Sequence, residues 1–345
     1  MKQLLILVVI IFCSCKKAYQ PRYISSLAIK EFKMDSTSIR AIQIVNDSTV
    51  YYAGNRGDIG FTDNNGKSWS TEYLLYKDSI VPHFRSLATN GSQLFALSIA
   101  NPALLYKISK DTTEIVYTEK HTKVFYDSMK FFADGKHGIA VGDPTDKCPS
   151  IILTSDGGYT WNKISCDKLP FFEEGEAFFA ASNTNIKIID DNVWIASGGI
   201  KARILKSIDK GKNWKIFNTP IIQGNGPQGI YSIDFHDKNT GIAIGGDYSK
   251  PTENKSNKAL TKDGGKTWVL IADGQHPAYK SCVQYVPNTE GKEVFAVGKR
   301  GISFSNDGGN SWSKISNDSY YTIQFLDRNT AWLSGNNKIA RLSLQ

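Results

Sequence analysis

The sequence predicts an all-β protein built from one repeated hairpin, and a recurrent turn unit with evenly spaced copies is what predicts it. The unit reads Ser or Thr, any residue, Asp, any residue, Gly, any residue, a small polar residue and Trp. It occupies residues 154–161, 207–214, 261–268 and 305–312, and a fifth copy at 62–69 has Asn64 in the Asp place. Its Asp can accept hydrogen bonds from turn amides, its Gly permits a positive φ, and its Trp supplies a large buried anchor. Since β-branched and aromatic residues flank most copies, each turn joins two strands.

The spacing of these turns predicts the architecture. Successive tryptophans are 92, 53, 54 and 44 residues apart, and the first interval spans two periods. A degenerate copy without Trp, residues 109–116, lies near its middle and keeps Asp111. Repeats of roughly 40–50 residues made of short strands are typical of a β-propeller with one four-stranded blade per repeat. The residues assigned to turn structure are Asn64, Asp111, Asp156, Asp209, Asp263, Asp307, Trp69, Trp161, Trp214, Trp268 and Trp312.

Each blade follows from the repeat. We expect the first six at residues 38–75, 83–121, 124–170, 174–220, 229–271 and 281–315. After Trp312 the chain has three further strand-like runs, which is one strand short of a blade, and residues 23–32 can supply the missing strand. The prediction is a seven-bladed propeller whose last blade is closed by the N-terminal strand, an arrangement that leaves no sheet edge exposed.

The N-terminus predicts export. Residues 4–12 form an apolar run that is too short to span a bilayer as a mature helix. Ser14 directly before Cys15, with two lysines after it, resembles the bacterial lipoprotein signal, which we favour over a simple secretory signal. We therefore expect a signal peptide at residues 1–14, an anchor and linker at 15–22 with Cys15 lipidated, and one propeller domain at 23–345 in the periplasmic side of the cell envelope.

Composition is consistent with a folded exported domain. The chain has 345 residues, 41% of them hydrophobic, and a formal net charge of +8, which we interpret as a lysine-rich solvated surface. No basic run is interleaved with aromatics, so we expect no nucleic-acid partner. Cys148 and Cys166 flank one turn at similar distances, so they are either a disulfide in an oxidising compartment or two free thiols. The histidines are scattered and no Cys/His cluster occurs, so we expect no metal and no cofactor.

The residues quoted above carry a family resemblance. The turn unit resembles the Asp-box, or BNR, repeat of bacterial sialidases, sortilin-type receptors and some glucanases. A wider pattern, in which a Gly-ended strand (AVGDP, AIGGD, AVGKRG) precedes a strand leading into the turn unit, resembles the photosystem II stability/assembly factor family and its non-photosynthetic bacterial relatives. The resemblance covers nearly the whole mature chain. It implies a chaperone-like role and turn residues that are structural, because Asp-box turns lie away from the usual ligand face.

Functional residues are therefore expected at the rim opposite the turns. The loops between second and third strands and the links between blades contribute a mixed-charge set that we predict to form a binding rim. Its members are Arg56, Asp143, Glu174, Glu176, Lys201, Arg203, Asp247, Tyr248, Lys299 and Arg300.

An enzyme is the alternative. Asp-box sialidases place three arginines around a substrate carboxylate beside a Tyr/Glu pair and an Asp, and Arg56, Arg203 and Arg300 come from three different blades. The Phe/Tyr-Arg-Ile-Pro motif that opens those enzymes is absent from the sequence, so we assign no catalytic residue. We expect a monomeric, lipid-anchored, non-catalytic propeller that binds a protein or glycan partner in the envelope, and the basic net charge favours an anionic one. The alternative is a sialidase-like or other glycan-processing hydrolase.

Overall fold

A computed structural model describes residues 19–344 of the chain. The predicted signal peptide, residues 1–14, and the predicted lipidation site, Cys15, lie outside the described residues. Residues 19–344 are folded almost entirely as β-strands and turns, with one short 3-10 helix at Cys166–Lys168.

Seven antiparallel sheets form a closed ring in this part of the chain, which confirms the predicted seven-bladed propeller. The innermost strand of each blade contacts that of the next blade, and the innermost strand of the seventh contacts that of the first. Strands follow chain order from the axis outward, because short turns connect neighbours.

The strand bounds of the first six blades are given from the innermost strand outward. Blades 1 to 3 contain Ala41–Ile44, Val50–Ala53, Asp58–Thr62 and Ser70–Tyr73; His83–Thr89, Leu94–Ile99, Ala103–Ile108 and Thr113–Glu119; Tyr126–Phe131, Gly138–Gly142, Ser150–Thr154 and Asn162–Lys163. Blades 4 to 6 contain Ile186–Ile189, Asn192–Ala196, Arg203–Ser207 and Lys215–Asn218; Gln228–Phe235, Gly241–Asp247, Lys258–Thr261 and Val269–Leu270; Cys282–Tyr285, Val294–Gly298, Gly301–Ser305 and Ser313–Ser316.

Both ends of the described chain build the seventh blade. Thr322–Phe325 is its innermost strand, and Thr330–Ser343 folds back on itself, since the Leu344 amide donates to the Asn329 carbonyl at 2.7 Å. Ala28–Ser38 then pairs with its second half, from Ala28 opposite Ser343 to Lys33 opposite Lys338. The N-terminal closure is therefore confirmed, but the strand begins five residues later than predicted.

Blade 4 begins later than its repeat period suggests. Its first strand starts at Ile186, whereas the spacing predicted a blade from residue 174. Glu176–Ala177 instead pairs with Gly198–Gly199, which extends the sheet of blade 5. The interval of 53 residues between Trp161 and Trp214 is longer than the 44 between Trp268 and Trp312, but an interval between turns does not show where in the blade the additional residues lie.

The inserted chain closes the central channel. Residues 180–184, which we call the plug, form hydrogen bonds with all six other blades. These bonds are Arg40 Nη1 to Ala181 O (3.2 Å, blade 1), Asn183 Nδ2 to Leu87 O (2.8 Å, blade 2), Met129 N to Asn183 Oδ1 (3.1 Å, blade 3), Thr184 Oγ1 with Ser232 Oγ (2.7 Å, blade 5), Ser182 Oγ to Ser281 O (2.7 Å, blade 6) and Thr322 Oγ1 to Ser182 O (3.1 Å, blade 7).

Asn183 is the central residue of the plug. Its side chain is buried, and its backbone φ of 58° lies in the left-handed region, which Asn tolerates better than most residues. It donates to one blade and accepts from another, so it satisfies two buried backbone groups at once.

The turn units have the hydrogen bonds that their residues predict. In residues 261–268, Thr261 Oγ1 donates to Asp263 Oδ1 (2.8 Å) and accepts from Gly265 N (2.9 Å). The Asp263 carboxylate also accepts from the amide and the hydroxyl of Thr267, at 2.9 and 2.7 Å. Burial acts to raise the pKa of Asp263, but these hydrogen bonds lower it to about 2. The same pattern recurs around Asp156, Asp209 and Asp307.

Two copies depart from this pattern. Asn64 accepts from Ser68 N at 3.0 Å and donates from Nδ2 to Ser68 Oγ at 2.7 Å. In the degenerate copy a turn does join two strands, but among the described residues the Asp111 carboxylate accepts none of its hydrogen bonds. Ser109 closes that turn instead, accepting from Thr112 N at 3.1 Å.

The tryptophans of these units tie neighbouring blades together. Trp161 is 6% exposed and lies edge-on to Phe131 of its own blade, with ring centres 5.7 Å apart, and to Phe95 of the preceding blade at 6.4 Å. Its indole N–H donates to the Gly158 carbonyl at 3.2 Å, so the polar atom is satisfied inside an apolar contact.

Cys148 and Cys166 form a disulfide, with Cα atoms 5.6 Å apart. Cys166 lies in the 3-10 helix after the fourth strand of blade 3, and Cys148 precedes the third strand. The bond therefore closes the open end of this hairpin. Of the two alternatives that the sequence left open, a disulfide and two free thiols, the structure has the disulfide.

We predict that Asp263→Ala lowers the free energy of unfolding by about 1.5–3 kcal/mol, because a charged acceptor of several turn hydrogen bonds is lost. Asp111→Ala is the matched control, and we expect it to stay within about 0.5 kcal/mol of the parent. Urea unfolding monitored by tryptophan fluorescence measures both. Equal losses in the two variants would show that the turn hydrogen bonds carry no stability.

We also predict that Asn183→Ala lowers the free energy of unfolding by about 2–4 kcal/mol, because a buried amide and a buried carbonyl lose their partners. The control is Asn317→Ala at an exposed position, where the change should stay within about 0.5 kcal/mol. An unshifted urea midpoint for Asn183→Ala would contradict a structural role for the plug.

Candidate functional site

The turn units distinguish the two rims of the propeller. Each unit joins the third and fourth strands of its blade, so it lies at the same end as the turn between the first and second strands. We call this end the turn rim. The opposite end, the loop rim, holds the loops between second and third strands and the links that enter each innermost strand. The ten predicted binding residues all lie in or beside those loops and links.

Bulges shape the centre of the loop rim. The innermost strands of blades 2, 3 and 5 each carry one extra residue near their start, where the pairing register shifts. The extra residues are Arg85, Asp127 and Tyr231. A bulge changes the direction in which the side chain of the extra residue points. These three side chains therefore do not follow the regular alternation between the two faces of the strand, and they can approach the plug.

Two arginines lie on the plug. Arg40 Nη1 donates to Ala181 O at 3.2 Å, and Arg85 Nη1 donates to Ala180 O at 2.9 Å. Arg85 Nε also donates to His83 Nε2 at 3.1 Å, so that nitrogen of His83 accepts. Burial and the two guanidinium groups lower the pKa of His83 to about 4, and burial together with Arg40 lowers that of Arg85 to about 10. The imidazole is therefore neutral and adds no charge to the arginines.

Aromatic rings form a wall beside the arginines. Phe179 and Tyr231 are stacked, with centres 3.9 Å apart and planes at 3°, and Tyr279 meets Tyr231 edge-on at 4.8 Å. The Arg40 guanidinium lies 4.2 Å from the ring centre of Tyr321, a cation–π distance. We call Arg40, His83, Arg85, Phe179, Tyr231, Tyr279 and Tyr321 the mouth cluster.

A pair of acids lies next to this cluster. Asp127 is fully buried, and burial together with the nearby Asp143 raises its pKa well above the usual range. Burial also raises the pKa of Asp143 to about 6, although its Oδ1 accepts from Phe178 N at 2.7 Å. Asp127 therefore favours its neutral form, although the Arg85 charge opposes the shift, whereas Asp143 with a pKa of about 6 is mostly ionised at neutral pH. Only one of the two acids thus compensates the arginines.

A second group of cations lies between blades 5 and 6 on the same rim. Lys280 is 2% exposed and donates to Gly301 O at 2.5 Å; burial and the charges of Lys314 and Arg300 lower its pKa to about 7. Lys258 is buried as well, and its Nζ donates to three neutral oxygens, those of Asn257 Oδ1, Gln275 O and Pro277 O. Mutual repulsion among these cations indicates that an anion would be favoured there.

Two predicted binding residues neutralise one another. Glu176 is 2% exposed and pairs with Arg203, whose Nε donates to Glu176 Oε1 at 2.9 Å. Ser197 Oγ donates to the same oxygen at 2.7 Å, and the Arg203 guanidinium also donates to Phe171 O. This buried ion pair fastens the link before blade 4 to the third strand of that blade, so neither group is free to meet a ligand.

The other predicted residues differ in exposure. Asp247 is buried and caps its own loop, accepting from Ser249 N at 2.9 Å. Tyr248 is 58% exposed and lies 6.4 Å from Tyr231, which places it at the edge of the mouth cluster. Exposed side chains at the outer part of the rim are those of Arg56, Glu174, Lys299 and Arg300, and Lys201 is half-buried.

The rim does not bring Arg56, Arg203 and Arg300 together. Arg56 lies over the ring of Tyr73 in blade 1, whereas Arg203 is held by Glu176 in blade 4. Three of the predicted acids do line one cleft of about 660 Å³ between blades 3 and 4, namely Asp143, Glu174 and Glu176. Asp146 and Glu173 line it as well, so its five acids outnumber its two lysines, Lys123 and Lys147.

Sequence reasoning missed the mouth cluster, although a signal for it exists. At the start of an innermost strand, a large polar or aromatic residue repeatedly precedes a small one and then an apolar one. Examples are Arg40-Ala41, Arg85-Ser86, Tyr231-Ser232, Lys280-Ser281 and Tyr321-Thr322. Aligning the repeats on the strand start rather than on the turn would have identified these positions.

Within residues 19–344, no group of three or more His, Cys, Asp or Glu side chains is arranged to hold a metal ion. No helix in that range has the length and apolar character needed to cross a bilayer.

Comparison with known proteins places the chain among propellers. No family model matches it, and no curated protein has a matching sequence. Among solved structures, YCF48 bound to D1 peptide is similar with a TM-score of 0.66 and 12% identity, covering 95% of this chain and 98% of that one. YCF48 from Cyanidioschyzon merolae gives a TM-score of 0.62 and 14% identity over 92% and 99% of the two chains. The WD40 β-propeller domain of Doa1 gives 0.61 and 12% over 95% and 97%. At these identities the similarity shows a shared fold, the seven-bladed β-propeller.

Proposed function

We propose that this protein is a lipid-anchored, non-catalytic propeller that binds an acidic protein segment at the mouth cluster, in the bacterial cell envelope. The observation that carries the proposal is the pair of half-buried arginines on the plug. Arg40 forms one side-chain hydrogen bond and Arg85 two, all to neutral groups, and no carboxylate forms an ion pair with either within residues 19–344. Asp127 acts on Arg85 only through space. The remaining N–H groups of the two guanidinium groups, beside an aromatic wall, are suited to a carboxylate.

The rigidity of this surface supports binding rather than catalysis. The arginines are held by carbonyls of the plug, which itself is bonded to every other blade, so little conformational freedom is lost when a partner docks. Of the three arginines weighed for glycoside hydrolysis, Arg203 is locked in a buried ion pair with Glu176, and Arg56 lies in another blade over the ring of Tyr73. A structurally similar propeller, YCF48, is bound to D1 peptide, which shows that this architecture can hold a peptide.

The proposed lipid anchor is compatible with one defined orientation of the propeller relative to the membrane. Residues 19–24 form an arm along the turn rim, and Arg22 is its main attachment. Arg22 Nε donates to Glu293 Oε2 at 2.9 Å, and its backbone amide donates to Glu293 Oε1 at 2.8 Å. Glu293 is fully buried, and Arg22 also donates to Asn329 Oδ1 at 2.9 Å. Both partners belong to turns between first and second strands, which lie on the turn rim.

This arm limits how far the protein can stand from its anchor. Four residue steps separate Cys15 from Tyr19, so an extended linker spans at most about 14 Å. A lipidated Cys15 would therefore hold the turn rim next to the membrane. The mouth cluster, at the other end of the propeller, would face away from the bilayer and be accessible to a partner in the envelope.

We predict that a photo-crosslinking residue in place of Tyr248 captures a protein partner in intact cells. Tyr159 is the matched control, because it is also 58% exposed but lies in a turn unit on the turn rim. The expected result is an adduct from position 248 and none from 159, detected by immunoblot and identified by mass spectrometry. In the Arg40→Gln/Arg85→Gln background the adduct should fall at least about tenfold, since charge-assisted hydrogen bonds are lost.

Two outcomes would contradict the proposal. Equal adducts from positions 248 and 159 would show unspecific capture, and an adduct that persists without the two arginines would exclude them as the binding groups. Circular dichroism of the double variant checks that its fold is retained.

We further predict that a fluorophore on Lys212→Cys, at the turn rim, is quenched by a lipid-soluble quencher in vesicles carrying the lipidated protein. The same label on Lys299→Cys, at the loop rim, should be quenched at least about threefold less, because the mouth faces away from the bilayer. Cys15→Ser must abolish quenching at both sites if lipidation is the anchor. Arg22→Ala should reduce the difference between the sites, whereas Tyr23→Ala, at a residue 90% exposed, should not.

Equal quenching at the two sites in the unmodified arm would contradict the orientation. Membrane association that survives Cys15→Ser would contradict the lipid anchor itself.

A further inference from the structure

We propose that the channel on the turn-rim side of the plug is a binding site for a small oxyanion, with Lys130 as its principal ligand. The channel there holds a cavity of about 210 Å³. It lies between Thr184 of the plug and the far ends of the innermost strands of blades 3 to 6. Its polar lining residues are Lys130, Thr184, Lys187, Asp234 and Gln284. This site is separate from the mouth cluster, and it does not depend on the proposed function.

The charges lining the cavity do not balance. Lys187 Nζ pairs with Asp234 Oδ1 at 2.5 Å, and no other carboxylate lines the cavity. Asp234 is shared among several groups, because Oδ1 also accepts from Phe235 N at 3.0 Å and Oδ2 accepts from Tyr285 N at 2.7 Å. It acts on Lys130 only through space. With two lysines and one carboxylate in its lining, the cavity has an excess of one positive charge.

Lys130 has no hydrogen-bond acceptor among the described residues, although it is half-buried. Burial, with the Lys187 charge as a second cause, lowers the pKa of Lys130 to about 8, whereas the charges of Cys282 and Asp234 act to raise it. Cys282 lies near but cannot neutralise it, since burial raises the pKa of that thiol. An oxyanion would compensate the charge directly.

Further donors face the same space. The Gln284 side-chain oxygen is already taken by Phe325 N at 2.9 Å, which leaves its amide nitrogen to donate. Three ammonium hydrogens of Lys130 and the amide of Gln284 are donors without acceptors, and that combination fits a tetrahedral or carboxylate oxyanion. The volume is large enough for one phosphate group with its hydration but not for a folded segment of protein.

Two sources could present this chemistry. One is a free oxyanion such as inorganic phosphate, and the other is the phosphate of an anionic lipid headgroup reaching the turn rim. Titration calorimetry with inorganic phosphate tests the first source. Binding of vesicles containing phosphatidylglycerol, measured by co-sedimentation of non-lipidated protein, tests the second.

We expect inorganic phosphate to bind the parent protein and to raise its thermal midpoint, because a ligand that binds only the folded state stabilises it. Lys130→Met should weaken phosphate binding about tenfold or more, and Lys130→Arg should keep it within about threefold, since the charge and donors remain. Lys136→Met, an exposed lysine of the same blade, is the charge-matched control and should change nothing.

Each outcome of these experiments either supports the proposed oxyanion site or contradicts it. Phosphate binding that depends on Lys130 assigns a soluble oxyanion, and vesicle binding that depends on Lys130 assigns a lipid headgroup. Absence of both, or an equal loss in Lys136→Met, overturns the proposal. Because Lys130→Met removes an unpaired buried charge, it should fold, and circular dichroism verifies this.

Discussion

Hydrogen bonds between the plug and the six surrounding blades are the interaction on which the rest of this structure depends. A propeller channel is lined by backbone and small polar side chains that need partners, and residues 180–184 supply those partners from within the chain. The plug does more than fill space, because it carries the carbonyls that hold Arg40 and Arg85. The plug therefore both stabilises the axis of the propeller and sets the geometry of the mouth cluster.

The plug also divides the channel into two electrostatic environments. On the loop-rim side, two guanidinium groups lie beside aromatic rings and near Asp127, whose raised pKa favours the neutral form. On the turn-rim side, Lys187 forms an ion pair with Asp234 and Lys130 forms none. In both places the cationic side chains outnumber the carboxylates that are ionised at neutral pH, and this excess is the common basis of the two proposed anion sites.

The two rims have different physical roles. On the turn rim, the four copies that keep both Asp and Trp form the hydrogen bonds of the carboxylate and of the indole N–H inside the turn. The N-terminal arm is fastened there by the buried Arg22–Glu293 ion pair. On the loop rim, several charged and aromatic side chains have hydrogen-bond donors without a partner among the described residues, or have exposed surface. A rim whose polar groups are satisfied locally is suited to structure and attachment, whereas one with unsatisfied groups is suited to recognition.

The sequence by itself determined the fold, the number of blades and the closure of the ring, because a local turn unit repeats at a fixed interval and leaves one strand to be supplied by the N-terminus. For the same reason it placed the ten predicted rim residues at the end opposite the turn units. Only the tertiary structure decided which of them are free: Glu176 and Arg203 neutralise each other across an insertion that no repeat period describes. Only the tertiary structure identified the mouth cluster and Lys130 as well. Their burial, the bulges and the charge balance depend on contacts between blades that are distant in sequence.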